Sequence, residues 1–301
     1  MIFLDGALGS ILLDRANKSS SGLWSAQFLL DDPEAIKSLY EEYIGVGSDL
    51  ITTNTYSTIP SYLNKEKISA KMPELIDIAG KLAKEVADRH EHVRVAGSLP
   101  PLEESYRPDL VLTEGEALPI YKTLIEGLLP YVDIFLCETI SSIQETQNVL
   151  KALDLYNKEI PIWLSWTLKE DKKDLLRSGE SIEEAFKFAE KYNPEAYLFN
   201  CTDPNAISSG LEVLQRLTDK PIGGYPNVFS VPDGWTLDND VVTLKNDLTK
   251  ASFPSFCHTW QEKGASIFGG CCGIGPELMA EMIATLKPVS YTHLRAHETC
   301  E

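Results

Sequence analysis

The length and the charge of the chain set the first limits on what the protein can be. It has 301 residues, which suits one large domain or two small ones, and a (β/α)8 barrel takes about 250 residues. Hydrophobic residues make up 43% of the sequence and charged residues 24%, so the chain can bury a sizeable core. The formal net charge of −18 argues against a nucleic-acid partner and against attraction to anionic membranes, because both draw affinity from Lys and Arg.

The N-terminal sequence and the cysteine content bear on where the protein works. Met1-Ile2-Phe3-Leu4 meets Asp5 without a basic region or a long apolar run, so no signal peptide is expected. No stretch approaches the ~20 apolar residues of a membrane helix. We therefore expect a cytoplasmic protein. Its six cysteines should not form a disulfide framework there, which leaves metal binding, catalysis or simple burial as their roles.

Short apolar runs alternate with helical patterns along nearly the whole chain. The runs predict eight β-strands, at residues 2–4, 50–56, 93–98, 132–139, 161–166, 196–201, 221–226 and 265–272. Each strand is followed by apolar spacing typical of an amphipathic helix, at residues 33–46, 73–89, 114–129, 142–156, 182–191, 207–217, 253–263 and 276–286. A long polar segment separates the seventh strand from its helix.

Strict alternation of strand and helix predicts a parallel sheet, and eight repeats favour a closed barrel. The alternative is a doubly wound open sheet, whose G-x-G-x-x-G phosphate motif is absent after the first strand. We therefore predict a single (β/α)8 TIM-type barrel over residues 1–288. Residues 289–301 lack periodicity, and we interpret them as a non-native or disordered tail. His293 and His297 in this tail have helical metal-ligand spacing, but we do not expect them to bind a metal.

The residues that end each predicted strand are the candidates for chemistry, because barrel active sites lie there. Strand six ends in Asn200-Cys201, and strand eight ends in Gly269-Gly270-Cys271-Cys272-Gly273. Three thiols at two strand ends can converge on one metal. Soft thiolates favour zinc, and catalytic zinc keeps an open position beside three protein ligands. The flanking glycines would let both adjacent sulfurs reach that metal. Buried cysteines without function and a vicinal Cys271–Cys272 disulfide are the alternatives.

Five motifs together resemble the homocysteine S-methyltransferase family. They span nearly the whole chain: Asp5-Gly6-Ala7, Thr52-x-Asn54-Thr55-Tyr56, Glu138-Thr139, Asn200-Cys201 and Gly269-Gly270-Cys271-Cys272-Gly273-x-x-Pro276-Glu277. The resemblance implies a zinc-containing (β/α)8 barrel that moves a methyl group onto the sulfur of homocysteine, forming methionine. It also implies that Cys201, Cys271 and Cys272 hold Zn2+, and that the groups matched by Asp5, Gly6 and Glu138 bind the substrate amino acid.

The chemistry of two carboxylates is consistent with that implication. Homocysteine reacts as its thiolate, and a thiol bound to zinc is deprotonated. Glu138 and Asp5 could then hold the substrate ammonium through charge-assisted hydrogen bonds, which makes them the expected catalytic and substrate-binding residues. The structural alternatives are a carboxylate at a helix N-terminus for Glu138 and a turn residue for Asp5.

Other polar and aromatic residues are secondary candidates. Asn54, Ser165 and Asn200 could bind substrate or orient the metal ligands, and ordinary hydrogen bonding at strand ends explains them equally well. Trp163 and Trp166 could flank a cationic methyl donor, although packing in the core is the simpler interpretation. Cys137 should face away from Glu138 on its strand, and Cys257 should pack in the core side of a helix.

The methyl donor stays open among S-methylmethionine, S-adenosylmethionine and a betaine-like ammonium. The end of the third strand, Gly97-Ser98-Leu99-Pro100, departs from the Gly-Pro-Tyr type of segment that many family members carry. The chain is also too short for additional folate and cobalamin modules. Two other classes remain: a barrel with a structural zinc, which would need a fourth protein ligand, and a zinc hydrolase, for which three thiolates are a poor ligand set. The expected partners are small-molecule substrates, and the oligomeric state is left open.

Overall fold

A nearly closed barrel of eight parallel strands surrounded by helices makes up the fold. The computed structural model describes residues 1–18, 22–157, 159–171, 174–232 and 248–287. The strands are β1 Ile2–Phe3, β2 Leu50–Thr52, β3 Arg94–Leu99, β4 Ile134–Ile140, β5 Ile162–Trp166, β6 Ala196–Asn200, β7 Ile222–Tyr225 and β8 Ala265–Phe268. The helices are α1 Gly9–Arg15, α2 Gln27–Asp31, α3 Pro33–Val46, α4 Pro60–Leu63, α5 Met72–Ala87, α6 Glu114–Leu128, α7 Ile143–Tyr156, α8 Ile182–Ala189, α9 Pro204–Leu217, α10 Phe253–Glu262 and α11 Pro276–Leu286. The predicted (β/α)8 barrel is confirmed; the tail predicted at 289–301, with His293 and His297, lies outside the described residues.

The order of the strands around the barrel places the first strand beside the last. The sheet runs β1-β8-β7-β6-β5-β4-β3-β2, and every neighbouring pair in that order is parallel. Between β1 and β2, two aspartates close the seam. The Asp49 amide donates to the Phe3 carbonyl at 2.7 Å, and the Asp49 carboxylate accepts from the Phe3 amide at 2.8 Å. The Asp5 carboxylate accepts from the amide and the hydroxyl of Thr52, at 2.8 and 2.9 Å.

The buried side chains form two layers, one inside the barrel and one between the strands and the helices. Alternation along a strand assigns residues to these layers in turn, because successive side chains point to opposite faces. On β4, Leu136 packs in the interior cluster and Cys137 in the outer one, as the sequence predicted for Cys137. Cys257 of α10 is buried in the outer layer too, which confirms the prediction that it is a core residue.

Local signals set where the elements begin and end. Helix α3 has the predicted bounds, because the Asp32 carboxylate caps the Ala35 amide and Gly47 ends the helix with φ of +109°. Helix α9 begins three residues earlier than predicted, since Asp203 caps the Asn205 amide and Pro204 occupies the first turn. Strand β2 ends at Thr52, before the predicted 56, because the chain turns there.

In the described part of the chain, no helix has the length and apolar character needed to cross a membrane.

Candidate metal and substrate site

Three cysteine thiols converge at the carboxyl ends of β6 and β8. The sulfur atoms of Cys201, Cys271 and Cys272 all lie within 4.8 Å of one another. Cys201 follows β6 with φ of +49°, a left-handed conformation that is uncommon outside glycine, and its amide donates to the Tyr225 carbonyl. Gly273 has φ of +81°, so the chain turns sharply after the adjacent pair. The structure therefore brings together the three thiols that the strand-end argument selected.

Two of these thiols are paired in the structure. Cys201 and Cys271 form a disulfide with their Cα atoms 5.6 Å apart, while Cys272 is a free thiol. The alternative weighed from the sequence, a vicinal Cys271–Cys272 disulfide, is therefore not the pairing that the structure shows. Metal binding by all three residues requires the pair to be reduced, because the thiolate is the ligand. The reduced set fits zinc, since it offers three soft donors from a partly buried loop and strand end.

The free thiol lies in an environment that opposes ionisation in the absence of a cation. Burial, followed by repulsion from Glu138, raises the pKa of Cys272 to about 12. A bound cation would reverse this balance, because a coordinated thiol is deprotonated outright. The geometry alone thus gives a closely spaced thiol cluster, and a metal ion is what would turn it into a set of thiolates.

Asn200 connects the thiol cluster to the end of β4. Its Oδ1 accepts from the Thr139 amide at 2.8 Å and from the Ser165 hydroxyl at 2.7 Å, and its Nδ2 donates to Thr139 Oγ1 at 2.8 Å. The same Nδ2 lies 3.9 Å from the Cys271 sulfur. Thr139 has φ of +62° at a register irregularity of β4, so the amide of Asn200 holds the backbone just after Glu138.

The two carboxylates predicted to bind substrate are both buried near the thiols. Glu138 accepts from the Ser98 hydroxyl and, at 3.3 Å, from the Tyr225 hydroxyl. Burial raises the pKa of Glu138 to about 7. Burial, with a smaller contribution from repulsion by Glu138, raises the pKa of Asp5 to about 7, although its hydrogen bonds from Thr52 act in the opposite direction. A bound cation would lower both pKa values and favour the ionised carboxylates, because it offsets the desolvation that raises them.

One cavity contains most of the predicted site residues. Its lining includes Asp5, Gly6, Asn54, Glu138, Cys201, Cys271 and Cys272. At Gly6 an added Cβ would lie 2.3 Å from the Ile274 carbonyl oxygen, so glycine is needed for the backbone to pass there. Asn54 donates to the Ser25 carbonyl at 3.0 Å. Ser165 and Asn200 are not among the lining residues; Ser165 donates to Asn200, which in turn contacts Thr139 and Cys271.

Sequence reasoning missed the aromatic wall of this cavity. Trp24, Tyr56 and Tyr106 line it, with the Trp24 and Tyr56 rings in an edge contact at 5.7 Å between centroids. Trp24 begins a 3-10 turn, Trp24–Ala26, and Tyr106 lies on a loop; both have left-handed φ, of +49° and +64°, so no strand or helix periodicity points to them. The available signal was the position of Tyr56 in the motif that follows β2.

The tryptophans considered from the sequence belong to the core instead. Trp166 stacks on Tyr197 at 5.6 Å between ring centroids and donates to the Thr146 hydroxyl at 3.0 Å. Trp163 packs in the cluster inside the barrel. Neither lines the cavity, so the simpler interpretation of both residues is the correct one.

The barrel and the site together define an enzyme class: a (β/α)8 barrel that gathers three cysteine sulfurs and two buried carboxylates in one cavity at the carboxyl ends of its strands. Comparison with known proteins agrees with this geometry. Residues 2–286 match the family model described as homocysteine S-methyltransferase. The chain belongs to the homocysteine S-methyltransferase family, an enzyme family of the methyltransferase class.

Relatives and solved structures extend over nearly the whole chain. Homocysteine S-methyltransferase YbgG of Bacillus subtilis (strain 168) is 27% identical, over 97% of this chain and 96% of the relative. Selenocysteine methyltransferase of Astragalus bisulcatus is 26% identical, over 90% and 88%. The homocysteine methyltransferase MmuM from Escherichia coli has been solved in a metallated form, with a TM-score of 0.78, 23% identity and coverage of 94% of this chain and 95% of that one. Its oxidized form has a TM-score of 0.79 and 24% identity, over the same shares. The likeness to MmuM shows the shared fold.

Proposed function

We propose that the protein is a zinc-dependent methyltransferase that moves a methyl group from a small sulfonium to the thiol of homocysteine, forming methionine. The observation that carries this proposal is the shared cavity, in which three cysteine sulfurs, two buried carboxylates and an aromatic wall meet. The names of the relatives support homocysteine as the acceptor. Cys201, Cys271 and Cys272 would hold the zinc after reduction of the disulfide.

The acceptor side of the reaction follows from the charges of the cavity. Glu138 and Asp5 are buried there with pKa values of about 7, and an amino-acid ammonium would keep both ionised. The charge-assisted hydrogen bonds would fix the amino group and direct the thiol side chain toward the cysteine cluster. Zinc, when bound, lowers the pKa of a thiol that it coordinates. Gly6 and Asn54 line the same space and would complete the amino-acid site.

The donor side is supported by the aromatic residues. A sulfonium or quaternary ammonium is attracted to the faces of Trp and Tyr rings, and Trp24, Tyr56 and Tyr106 supply such faces. In the reaction the acceptor thiol loses its proton, and its sulfur forms a bond to the methyl carbon as the bond to the donor sulfur breaks. The donor sulfur keeps the electron pair and leaves as a neutral thioether. The loss of positive charge weakens its attraction to the rings, which favours product release.

The alternative of a structural zinc receives less support. Structural sites almost always use four protein ligands, whereas the cluster found within the described residues has three ligating side chains. A three-ligand set in a cavity is what an exchangeable fourth position requires.

The proposal is tested by measuring zinc content and methionine formation on the same reduced sample, with S-methylmethionine, S-adenosylmethionine and betaine as donors in turn. We expect about one zinc per chain and turnover with a sulfonium donor. Turnover with betaine alone would replace the sulfonium assignment. A folded, reduced protein that takes up no zinc would contradict the proposal.

Replacing Glu138 by Gln tests its role in binding the acceptor. The variant keeps the shape but loses the charge, and we expect KM for homocysteine to rise about 10- to 100-fold, since a hydrogen bond to a charged group contributes about 1.5–3 kcal/mol. Zinc content should stay near that of the wild type. Glu145→Gln is the matched control, because Glu145 is also a buried carboxyl with a pKa raised to about 7 but does not line the cavity. Equal effects of the two substitutions would contradict the assignment.

A further inference from the structure

A buried arginine lies behind the aromatic wall. Arg177 belongs to the connection between β5 and α8, where Leu168 and Leu176 form an antiparallel bridge. Its side chain is only 2% exposed. Burying a guanidinium is costly unless the charge is paired and hydrogen-bonded, so the contacts of this group indicate its role.

These contacts join three connections at the carboxyl ends of the strands. The Arg177 guanidinium donates to the Val231 carbonyl at 2.8 Å and pairs with the Glu170 carboxylate at 3.3 Å. The same carboxylate oxygen accepts from the Val231 amide at 2.9 Å. The ion pair therefore holds both backbone polar groups of Val231, in the segment that follows β7. The guanidinium also lies 5.2 Å from the centre of the Tyr106 ring, in the connection between β3 and α6.

One partner of this arginine lines the cavity, and another belongs to a segment that contacts the thiol loop. Tyr106 lines the cavity with Cys272 and has φ of +64°, a strained conformation that surrounding contacts must hold in place. The segment that contains Val231 lies against the thiol loop, because the Val228 amide donates to the Cys272 carbonyl at 3.2 Å. The described side chains thus connect the buried ion pair to the cavity wall through a ring contact and to the thiol loop through the backbone.

We propose that Arg177, together with Glu170, is a positioning pair that sets the Tyr106 ring at the cavity wall and thereby determines the affinity for the methyl donor. This role rests on the proposed function, since it assigns the aromatic wall to the donor. The guanidinium fork suits it because one planar group bonds Val231, pairs with Glu170 and stacks on the ring at once, which a lysine ammonium cannot do. The role concerns binding of the donor, whereas Asp5, Glu138 and the thiols act on the acceptor.

Two variants test the proposal. Arg177→Met combined with Glu170→Gln removes both charges together, so that no lone charge stays buried, and Gln can still accept from the Val231 amide. We expect the donor Kd from calorimetry, and the donor KM, to rise about tenfold, with about a two- to threefold rise in Arg177→Lys. KM for homocysteine, kcat and zinc content should change by less than about twofold. Lys151→Met is the control, since it breaks the Lys151–Glu114 pair, which lies outside the cavity.

A coupling measurement separates a positioning role from a general structural one. Tyr106→Leu should raise the donor Kd by itself. Adding Arg177→Met and Glu170→Gln to it should produce little further rise, because the ion pair acts through the Tyr106 ring. Effects that multiply, an unchanged donor Kd, or an equal rise in KM for homocysteine would each overturn the proposal. A wild-type protein that turns over no donor would reject the proposed function instead, whereas wild-type turnover with unaffected variants would reject only the positioning role.

Discussion

At the scale of a residue, the buried side-chain amide of Asn200 contacts groups on two sides of the site. It fixes the left-handed Thr139 on one side and approaches the Cys271 sulfur on the other. From the sequence, Asn200 could bind substrate, orient a metal ligand or make ordinary hydrogen bonds at a strand end; its contacts are with Thr139, Ser165 and Cys271. The strand-end position could be predicted from the sequence, but the direction of the amide could not, because it depends on Thr139 and Ser165, which are distant in the chain.

Replacing Asn200 by Ala should weaken zinc binding about 10- to 100-fold, as losses of groups that orient metal ligands typically do. It should also lower the free energy of unfolding by about 1–3 kcal/mol for each buried group left unpaired. Zinc affinity is measured by competition with a chelator, and stability by urea unfolding. Ser165→Ala, which removes a single donor to Asn200, is the control and should retain zinc affinity. Equal zinc affinities in Asn200→Ala and the wild type would show that the amide does not orient Cys271.

At the scale of an element, the start of α7 contains a buried carboxyl whose protonation makes the stability of the fold depend on pH. Glu145 accepts from the amide and the hydroxyl of Ser141, at 2.7 and 2.8 Å, while its own amide donates to Ser142 Oγ at 3.1 Å. Burial nevertheless raises the pKa of Glu145 from 4.5 to about 7. The folded state therefore binds more protons than the unfolded state between these values, and the free energy of unfolding falls as pH rises through that window. Above about pH 7 this contribution is constant.

Glu145→Gln should make stability less dependent on pH. Each pKa unit corresponds to ~1.4 kcal/mol, so the wild type should lose about 1–3 kcal/mol more than the variant between pH 5 and pH 8. Urea unfolding at the two pH values measures this difference. Asp5 and Glu138 contribute with the same sign, but they are present in both proteins and cancel in the comparison. Parallel losses in the two proteins would mean that Glu145 keeps an ordinary pKa.

The elements themselves could be predicted from the sequence more fully than the loops. Alternation and helical spacing are local, so they gave the eight strands and their principal helices, with differences at ends such as Pro204 and Thr52. Trp24 and Tyr106 could not be found in this way, because their place in the cavity depends on their left-handed backbone conformations and on long-range contacts. The pattern also placed Trp163 and Trp166 on a strand without giving their depth in the barrel, and both proved to be core residues.

At the scale of the whole molecule, the barrel closes where β1 meets β2 through aspartate side chains together with the backbone bond from the Asp49 amide to the Phe3 carbonyl. In the Phe3–Asp49 contact, the Phe3 amide donates to the Asp49 carboxylate and the Asp49 amide donates to the Phe3 carbonyl. The Val95–Asp133 contact between β3 and β4 has the same arrangement, with the carboxylate at 2.8 Å from the Val95 amide. The difference is that β3 and β4 also share a backbone ladder, whereas β1 and β2 share none within the described residues.

Asp49→Ala should therefore open the seam, while Asp133→Ala should not open the sheet. Both substitutions leave a strand amide unpaired and should cost about 1–3 kcal/mol of stability. Hydrogen exchange of the amides of β1 and β2 should become faster in Asp49→Ala alone, because no backbone ladder holds these two strands together in the described residues. If exchange rises equally around the barrel in both variants, the seam is no weaker than the other strand pairs.

The pairing of β1 with β8 has a consequence for how the protein is made. Asp5 is synthesised long before Gly270, whose amide donates to the Asp5 carbonyl, and β1 finds its partner strand only when residues near 267 have been synthesised. At about 5–20 residues per second this delay lasts roughly 10–50 s. In the last part of that interval Cys201 has been synthesised but Cys271 and Cys272 have not, so the nascent chain has an incomplete set of thiols. The three thiols can therefore gather at one place only after β8 and the residues that follow it have been synthesised.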